Sequence, residues 1–407
     1  MTSNSNSFDF VIIGGGAVGL WTAHQLSIYF KDAKIIVLEK EENIGLHSSG
    51  RNSGVLHAGI YYEPGSTKAR VCVEGRKRLV DWIEERKLPL NRCGKVITCQ
   101  KKELDSQLDV LINRAHANGA NAKIVNANDL QNLLPGAFSA SGRAIYSPET
   151  AVTKPIAVIK RLEQELTEKG IHIKKGITIN EVNATGRRLV LSDNEWIEYG
   201  HLFNCAGLYS NEIAKKFGIA RNYKIMPFKG LYWKIKDNSD IKITRNLYPV
   251  PDLNMPFLGV HFTPSADAGH TVSIGPTAVL ATGRENYFGF ENSEPLKFIS
   301  NIGTVASEYI ANRNGFRGYV HEQALLSIKA LVVKEACKIY PELKFKDLEI
   351  SQKVGIRAQL FDNNENKLEN EFLCLEAESS THVLNAISPA FTASSALADL
   401  IIEKANL

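Results

Sequence analysis

Cysteine is scarce and scattered. Cys72, Cys93, Cys99, Cys205, Cys337 and Cys374, six in 407 residues, form no C-x-x-C pair and no cluster with histidine. That pattern indicates neither a metal site nor a disulfide framework, and it fits a reduced, cytoplasmic protein. No run reaches the ~18–20 continuous apolar residues of a membrane span. The polar start, Met1 to Ser7, lacks the basic and apolar regions of a secretion signal. Any membrane contact is therefore expected to be peripheral. Charge of one sign is also lacking: a net of +4 is too small and dispersed to favour nucleic acid. There is no internal repeat and no low-complexity stretch. What is present, 44% hydrophobic and 23% charged residues, is the balance of a globular chain long enough for two domains.

The most informative segment is Phe10-Val-Ile-Ile-Gly14-Gly-Gly16-Ala17-Val18-Gly19, followed twenty residues on by Lys34-Ile-Ile-Val-Leu-Glu39-Lys40. A buried-type strand, a glycine turn, a helix over 17–30 and a second strand ending in a carboxylate describe a dinucleotide site. Gly14 permits the sharp turn, Gly16 lets a pyrophosphate approach the backbone, and Gly19 lets the helix lie close to the sheet. Glu39 stands where a ribose hydroxyl needs an acceptor. The helix N-terminus, at Ala17 and Val18, presents unpaired N–H groups to phosphate.

Beyond this unit, 43–62 reads as a long polar loop, a functional feature rather than a plain connection. Helices are expected over 66–87, 101–118, 154–169, 210–217, 294–312, 323–340 and 390–405. Strands are expected over 94–99, 171–174, 201–207 and 383–387. From Tyr223 to about Phe290 alternating segments such as 230–235 and 257–262 read as antiparallel sheet. Ser388 suits an N-cap and Pro389 the first helical position. The fold expected is α/β with an α+β insert: a Rossmann-like domain from 1–90, 146–218 and 345–407, and an antiparallel-sheet substrate domain from 91–145 and 219–344. The ligand cleft lies between them.

Residues 8–40 resemble the FAD-binding start of the D-amino-acid-oxidase-like flavoproteins. Longer motifs are narrower: Arg51-Asn52-Ser53-Gly54-Val55-Leu56-His57-Ala58-Gly59-Ile60-Tyr61-Tyr62, 246–252, 256–264, Cys205-Ala206-Gly207-Leu208-Tyr209-Ser210, and Val354-Gly355-Ile356-Arg357-Ala358-Gln359. With the closing Ser388-Pro389-Ala390 helix, they resemble the L-2-hydroxyglutarate dehydrogenase (or oxidase) family over about residues 8–402. The resemblance implies non-covalent FAD and oxidation of L-2-hydroxyglutarate to 2-oxoglutarate by hydride transfer to flavin. The alternatives are an enzyme of the same superfamily acting on another 2-hydroxy acid or an amino acid, and a flavin-carrying interaction protein without turnover. The electron acceptor, whether oxygen, a quinone or a carrier protein, is left open.

Such a reaction needs carboxylate anchors and a base for the hydroxyl proton. Alternation puts Leu258, Val260 and Phe262 on one strand face and His261 on the other, toward the cleft, where it can serve as base. His57 is the rival base, or a group holding the flavin. Arg357, between Gly355 and small Ala358, is the best carboxylate anchor, because a guanidinium pairs with a carboxylate through two parallel bonds. Lys229 and Lys68 are candidates for a second cation of a diacid site. Tyr61 and Tyr248 are candidate pocket groups, with packing the alternative. On the cofactor side stand Gly14, Gly16, Ala17, Val18, Gly19 and Glu39. With them go Lys40, Ser48, Ser53, Gly54, His57, Ala206, Gly207, Gly355, Ser388 and Pro389. The final helix is expected to turn its N-terminus toward the flavin.

Overall fold

The computed structural model describes residues 6–251, 259–267, 271–326 and 328–407. A first sheet of eight strands has a parallel centre in which Ser7–Ile13 lies between Ile35–Leu38 and Trp196–Asn204. His172–Lys174 extends it beyond Ile35–Leu38, and Ser380–Asn385 pairs parallel with Trp196–Asn204. Residues 10–13 and Ile35–Leu38 at its centre are continuous apolar runs because both faces are covered there. The helices Ala17–Tyr29, Thr67–Glu85, Pro155–Glu168 and Ala390–Lys404 supply Leu20, Leu79, Leu162 and Leu397 to one buried cluster with Ile12, Val37 and Phe203. Thr67–Glu85 and Ala390–Lys404 approach so closely that a Cβ on Gly75 would stand 2.6 Å from Ala393 Cα.

The second sheet has ten strands and is mostly antiparallel. Its spine is Tyr223–Ile235 against Leu348–Asp362, with Val272–Ile274, Phe262–Pro264 and Asn246–Pro249 following. Asn246–Pro249 then pairs parallel with Lys95–Thr98, which continues to Arg143–Ser147 and Lys123–Asn126. The early segment and the middle of the chain thus share one sheet. A short third sheet joins Val55–Leu56, Ala151–Thr153 and Leu90–Asn91.

Several expectations shift. Leu348–Asp362 lies in the second sheet rather than with the first, because its fifteen residues pair along nearly the whole of Tyr223–Ile235. The expected helix 323–340 is two, Phe316–Leu325 and Lys329–Ala336, with Ile328 in extended backbone (φ −100°, ψ 120°) at the start of the second. Periodicity alone carries no mark of that break. Pro389 is the N-cap rather than the first helical residue: Ala393 N–H donates to Pro389 O at 2.9 Å, while Ala390 N–H closes a turn on Ile387 O at 2.7 Å. The alternating run 257–262 is described only from Gly259, so Leu258 lies outside the described residues.

Candidate active site

The glycine turn is built as its spacing requires. Gly14 has φ +109°, and a Cβ there would meet Cys205 O at 2.5 Å; a Cβ on Gly19 would stand 2.0 Å from Gly14 O. Glu39 is buried beneath this turn. Its Oε2 accepts from Gly15 N–H at 2.7 Å and its Oε1 from Glu41 N–H at 3.0 Å. Lys40 pairs with Glu41 and, at 2.6 Å, with Glu285.

One cavity begins at this turn and ends at the second sheet. Gly16, Ala17 and Val18 line it at one helix start, and Ser388, Pro389, Ala390 and Thr392 at another. Two helix N-termini therefore border the same space, where their partial positive charge favours an anion or a ring that becomes anionic. A Cβ on Gly16 would come within 2.8 Å of Ser49 Oγ, so the turn and the loop 48–53 form a cradle that a side chain would fill. Ser49 Oγ accepts from Ala17 N–H at 2.9 Å, and Ser48 Oγ donates to Ile356 O at 2.8 Å, tying the loop to the start of the helix Ala17–Tyr29 and to the second sheet. A cradle open at the pyrophosphate position and continued by an apolar channel fits FAD.

At the second sheet the cavity is lined by His57, Tyr248, His261, Gly355 and Arg357, with Ser53 and Gly207 along its side. Gly355 has a packing reason of its own, since a Cβ would meet Arg51 O at 2.8 Å. His261 is 5% exposed, and its Nδ1 lies 2.8 Å from Gly259 O. A carbonyl only accepts, so Nδ1 carries the proton and Nε2 presents its lone pair. Val260 and Phe262 are buried on the other face, as the alternation requires. Burial is the main cause that lowers the His261 pKa to about 4, with Lys95 adding to it. His57 is held well below its ordinary value by burial, then by Lys95, His261 and Arg357.

Other expected residues stand elsewhere. Lys229 lies between Phe228 and Gly230, which both line the cavity, so alternation turns it to the opposite face, where Nζ donates to Asn286 Oδ1 at 2.7 Å. Lys68 is buried on the helix Thr67–Glu85 and donates to Asn370 O; burial lowers its pKa to about 8. Neither lines the cavity, and neither does Tyr61. Gly14, Gly19, Glu39, Lys40 and Ala206 support the turn or its rim rather than lining the space, and Gly54 (φ +80°) packs against Thr153 O.

The reading of the sequence missed Ser49, Thr392 and, above all, Lys95. Lys95 is 1% exposed, with Nζ 3.5 Å from His57 Nδ1 and 4.1 Å from the centre of the Tyr248 ring. A lysine inside the apolar stretch Gly94-Lys95-Val96-Ile97 was its only signal.

Comparison with known proteins agrees with this geometry. The family model described as FAD dependent oxidoreductase matches residues 9–404. Among curated relatives, the mitochondrial L-2-hydroxyglutarate dehydrogenase of Caenorhabditis elegans is 34% identical, covering 98% of this chain and 93% of the relative. The L-2-hydroxyglutarate dehydrogenase of Escherichia coli K12 is 31% identical, covering 98% and 93%. Among solved structures, FAD-bound L-alpha-glycerophosphate oxidase from Mycoplasma pneumoniae superposes with TM-score 0.75 at 19% identity, covering 98% of this chain and 95% of that one. Glycine oxidase from Geobacillus kaustophilus gives 0.71 at 14%, covering 98% and 94%. The chain belongs to the FAD dependent oxidoreductase family, and its cofactor is FAD.

Proposed function

We propose that the protein oxidises L-2-hydroxyglutarate to 2-oxoglutarate. The observation that carries this reading is the meeting of Arg357, His57 and His261 on the cavity wall beyond the glycine cradle, in a chain whose relatives are L-2-hydroxyglutarate dehydrogenases. Bound FAD supplies the two-electron acceptor.

Arg357 pairs with a substrate carboxylate and orients C2. His261 Nε2 takes the hydroxyl proton as C2 becomes a carbonyl, since Nδ1 is committed to Gly259 O. His57 faces the same substrate as a hydrogen-bond donor. Tyr248, stacked on His261, holds the imidazole plane. On the cofactor side, Gly16, Ala17, Val18 and Ser48 take the pyrophosphate, and Glu39 the ribose through the lone pairs its two backbone bonds leave unused. Ser53, Gly207, Gly355 and the helix start at Ser388 and Pro389 border the flavin.

The same proposal divides the chain into a FAD-binding unit of 1–90, 146–218 and the segment after Asp362, and a substrate unit of 91–145 and 219–362. Among the described residues no helix is long and apolar enough to cross a membrane. The test is anaerobic: adding L-2-hydroxyglutarate to the yellow protein should bleach the flavin band and form 2-oxoglutarate. Bleaching by an amino acid instead would replace the substrate assignment.

A further inference from the structure

Lys95 has no role in the reaction as drawn, and its surroundings are unusual for an ammonium. It is 1% exposed, and among the described residues no carboxylate acts on it. Around it stand the imidazoles of His57 and His261, the rings of Tyr61 and Tyr248, and the thiols of Cys72 and Cys93. Each of these is neutral near pH 7: burial raises Cys72 to about 12 and Cys93 to about 11, raises both tyrosines, and lowers both histidines. Arg357, beyond His57, adds a second positive charge rather than an anion. A buried cation without a counter-ion is costly, and burial brings the Lys95 pKa down to about 7. Lys95, like Lys229 and Lys68, does not itself line the cavity, but of the three it is the one whose Nζ reaches a lining histidine, 3.5 Å from His57 Nδ1.

We propose that Lys95 is a positioning residue which takes a proton from solvent when a dianionic substrate enters beside Arg357, and then donates to His57 Nδ1. The two histidines are thereby given different roles. His57, with Nδ1 accepting from the ammonium, must carry its proton on Nε2 and can only donate to the substrate. His261, with Nδ1–H on Gly259 O, keeps Nε2 as the acceptor. The proton returns to solvent when product leaves, so the cycle balances. This inference rests on the diacid reading above.

The experiment is calorimetric titration of the oxidised, FAD-loaded protein with 2-oxoglutarate at pH 8, in two buffers of different ionisation enthalpy. Wild type should take up close to one proton per site, because binding raises a pKa near 7 past the working pH. Lys95→Met should take up almost none, and its KM for L-2-hydroxyglutarate should lack the rise above pH 7 expected of wild type. Lys95→Arg, permanently charged, should bind without uptake, and His261→Asn should keep the uptake. Binding by wild type without proton uptake would overturn the proposal, as would uptake unchanged in Lys95→Met or Lys95→Arg. If Lys95→Met does not fold, the wild-type and Lys95→Arg titrations decide between the outcomes. If wild type neither binds 2-oxoglutarate nor is bleached by L-2-hydroxyglutarate, the substrate reading fails and takes this inference with it; binding without uptake removes only the role of Lys95.

Discussion

The His261 imidazole lies nearly flat on the Tyr248 ring, with centroids 4.0 Å apart and planes 23° from parallel. Stacking fixes the plane, and the Gly259 carbonyl fixes the rotation and the tautomer. The lone pair of Nε2 therefore has one direction before any substrate arrives. Replacing His261 by Asn should lower kcat by roughly 10²–10⁴, the usual contribution of a placed base, with a much smaller change in KM. His57→Ala, which removes a donor, should act more on KM.

The pH profile carries a second expectation. With a pKa of about 4 in the ligand-free protein, His261 is already neutral at pH 6, so kcat/KM should show no fall on its account between pH 8 and 6. In the substrate complex a nearby carboxylate favours the imidazolium, so the acid limb of kcat should lie at higher pH than that of kcat/KM. An acid limb of kcat/KM at pH 6–7 that survives in His261→Asn would assign the base elsewhere.

Arg357 should divide binding from folding. Arg357→Ala should raise KM by roughly ten- to a hundredfold, equivalent to the about 1.5–3 kcal/mol of a charged hydrogen-bonded contact. Arg357→Lys should recover only part, because an ammonium cannot make two parallel bonds to one carboxylate. Steady-state kinetics with flavin content measured alongside would check this; an unchanged KM in Arg357→Ala would remove the anchor.

Local chemistry was legible in the sequence, and long-range packing was not. The glycine turn and Glu39 fall within thirty residues of one another, and every constraint on them is local. His261 was placed by a period of two. Lys229 belongs to an equally regular strand, but its face could be read only once Phe228 and Gly230 were known to border the cavity. Lys95 is buried because Lys95–Thr98 pairs with Asn246–Pro249, some 150 residues later, and because His57 covers it. No local pattern separates that lysine from a solvated one. The pairing of Leu348–Asp362 is hidden for a related reason, since its partner strand begins 125 residues earlier.

The two lysines that do not line the cavity, Lys229 and Lys68, give a sharp negative expectation. Lys229→Met should leave KM within about twofold of wild type, the range of a substitution away from the chemistry. Lys68→Met should also leave KM near wild type, yet cost stability on the order of 1–3 kcal/mol through the lost bond to Asn370 O. Thermal unfolding and kinetics on the same samples would separate the effects. A large KM increase in either variant would return that lysine to the site.

Gly19→Ala tests the cradle without touching substrate chemistry. Its Cβ would stand 2.0 Å from the Gly14 carbonyl, and neither atom belongs to a flexible side chain, so the helix Ala17–Tyr29 must lift from the turn. That displacement should cost about 1–3 kcal/mol, as overpacking does, and move the N–H groups meant for the pyrophosphate. The purified variant should carry markedly less FAD and bind added FAD more weakly. Full flavin content would mean that the helix start does not hold the cofactor.

Acid stability follows from buried histidines held neutral, among them His57, well below its ordinary value, and His201, His261 and His382, each lowered to about 4 chiefly by burial. His382 shows why the neutral form is required. Asn204 Nδ2 donates to its Nδ1 at 3.0 Å, so the one proton sits on Nε2, facing Ser380 Oγ at 3.0 Å. Protonating Nδ1 would set two donors against each other. The folded pKa is below the unfolded value of 6.5, so between pH 6.5 and 4 the unfolded chain binds more protons. Stability is then fully present above pH 6.5 and is lost as pH falls toward 4, by on the order of 3 kcal/mol per histidine. Tm should therefore drop steeply from pH 7 to 5, where most carboxylates remain ionised. His382→Asn, which keeps a hydrogen-bonding side chain but cannot titrate, should make that slope shallower; an unchanged slope would place the acid sensitivity in other groups.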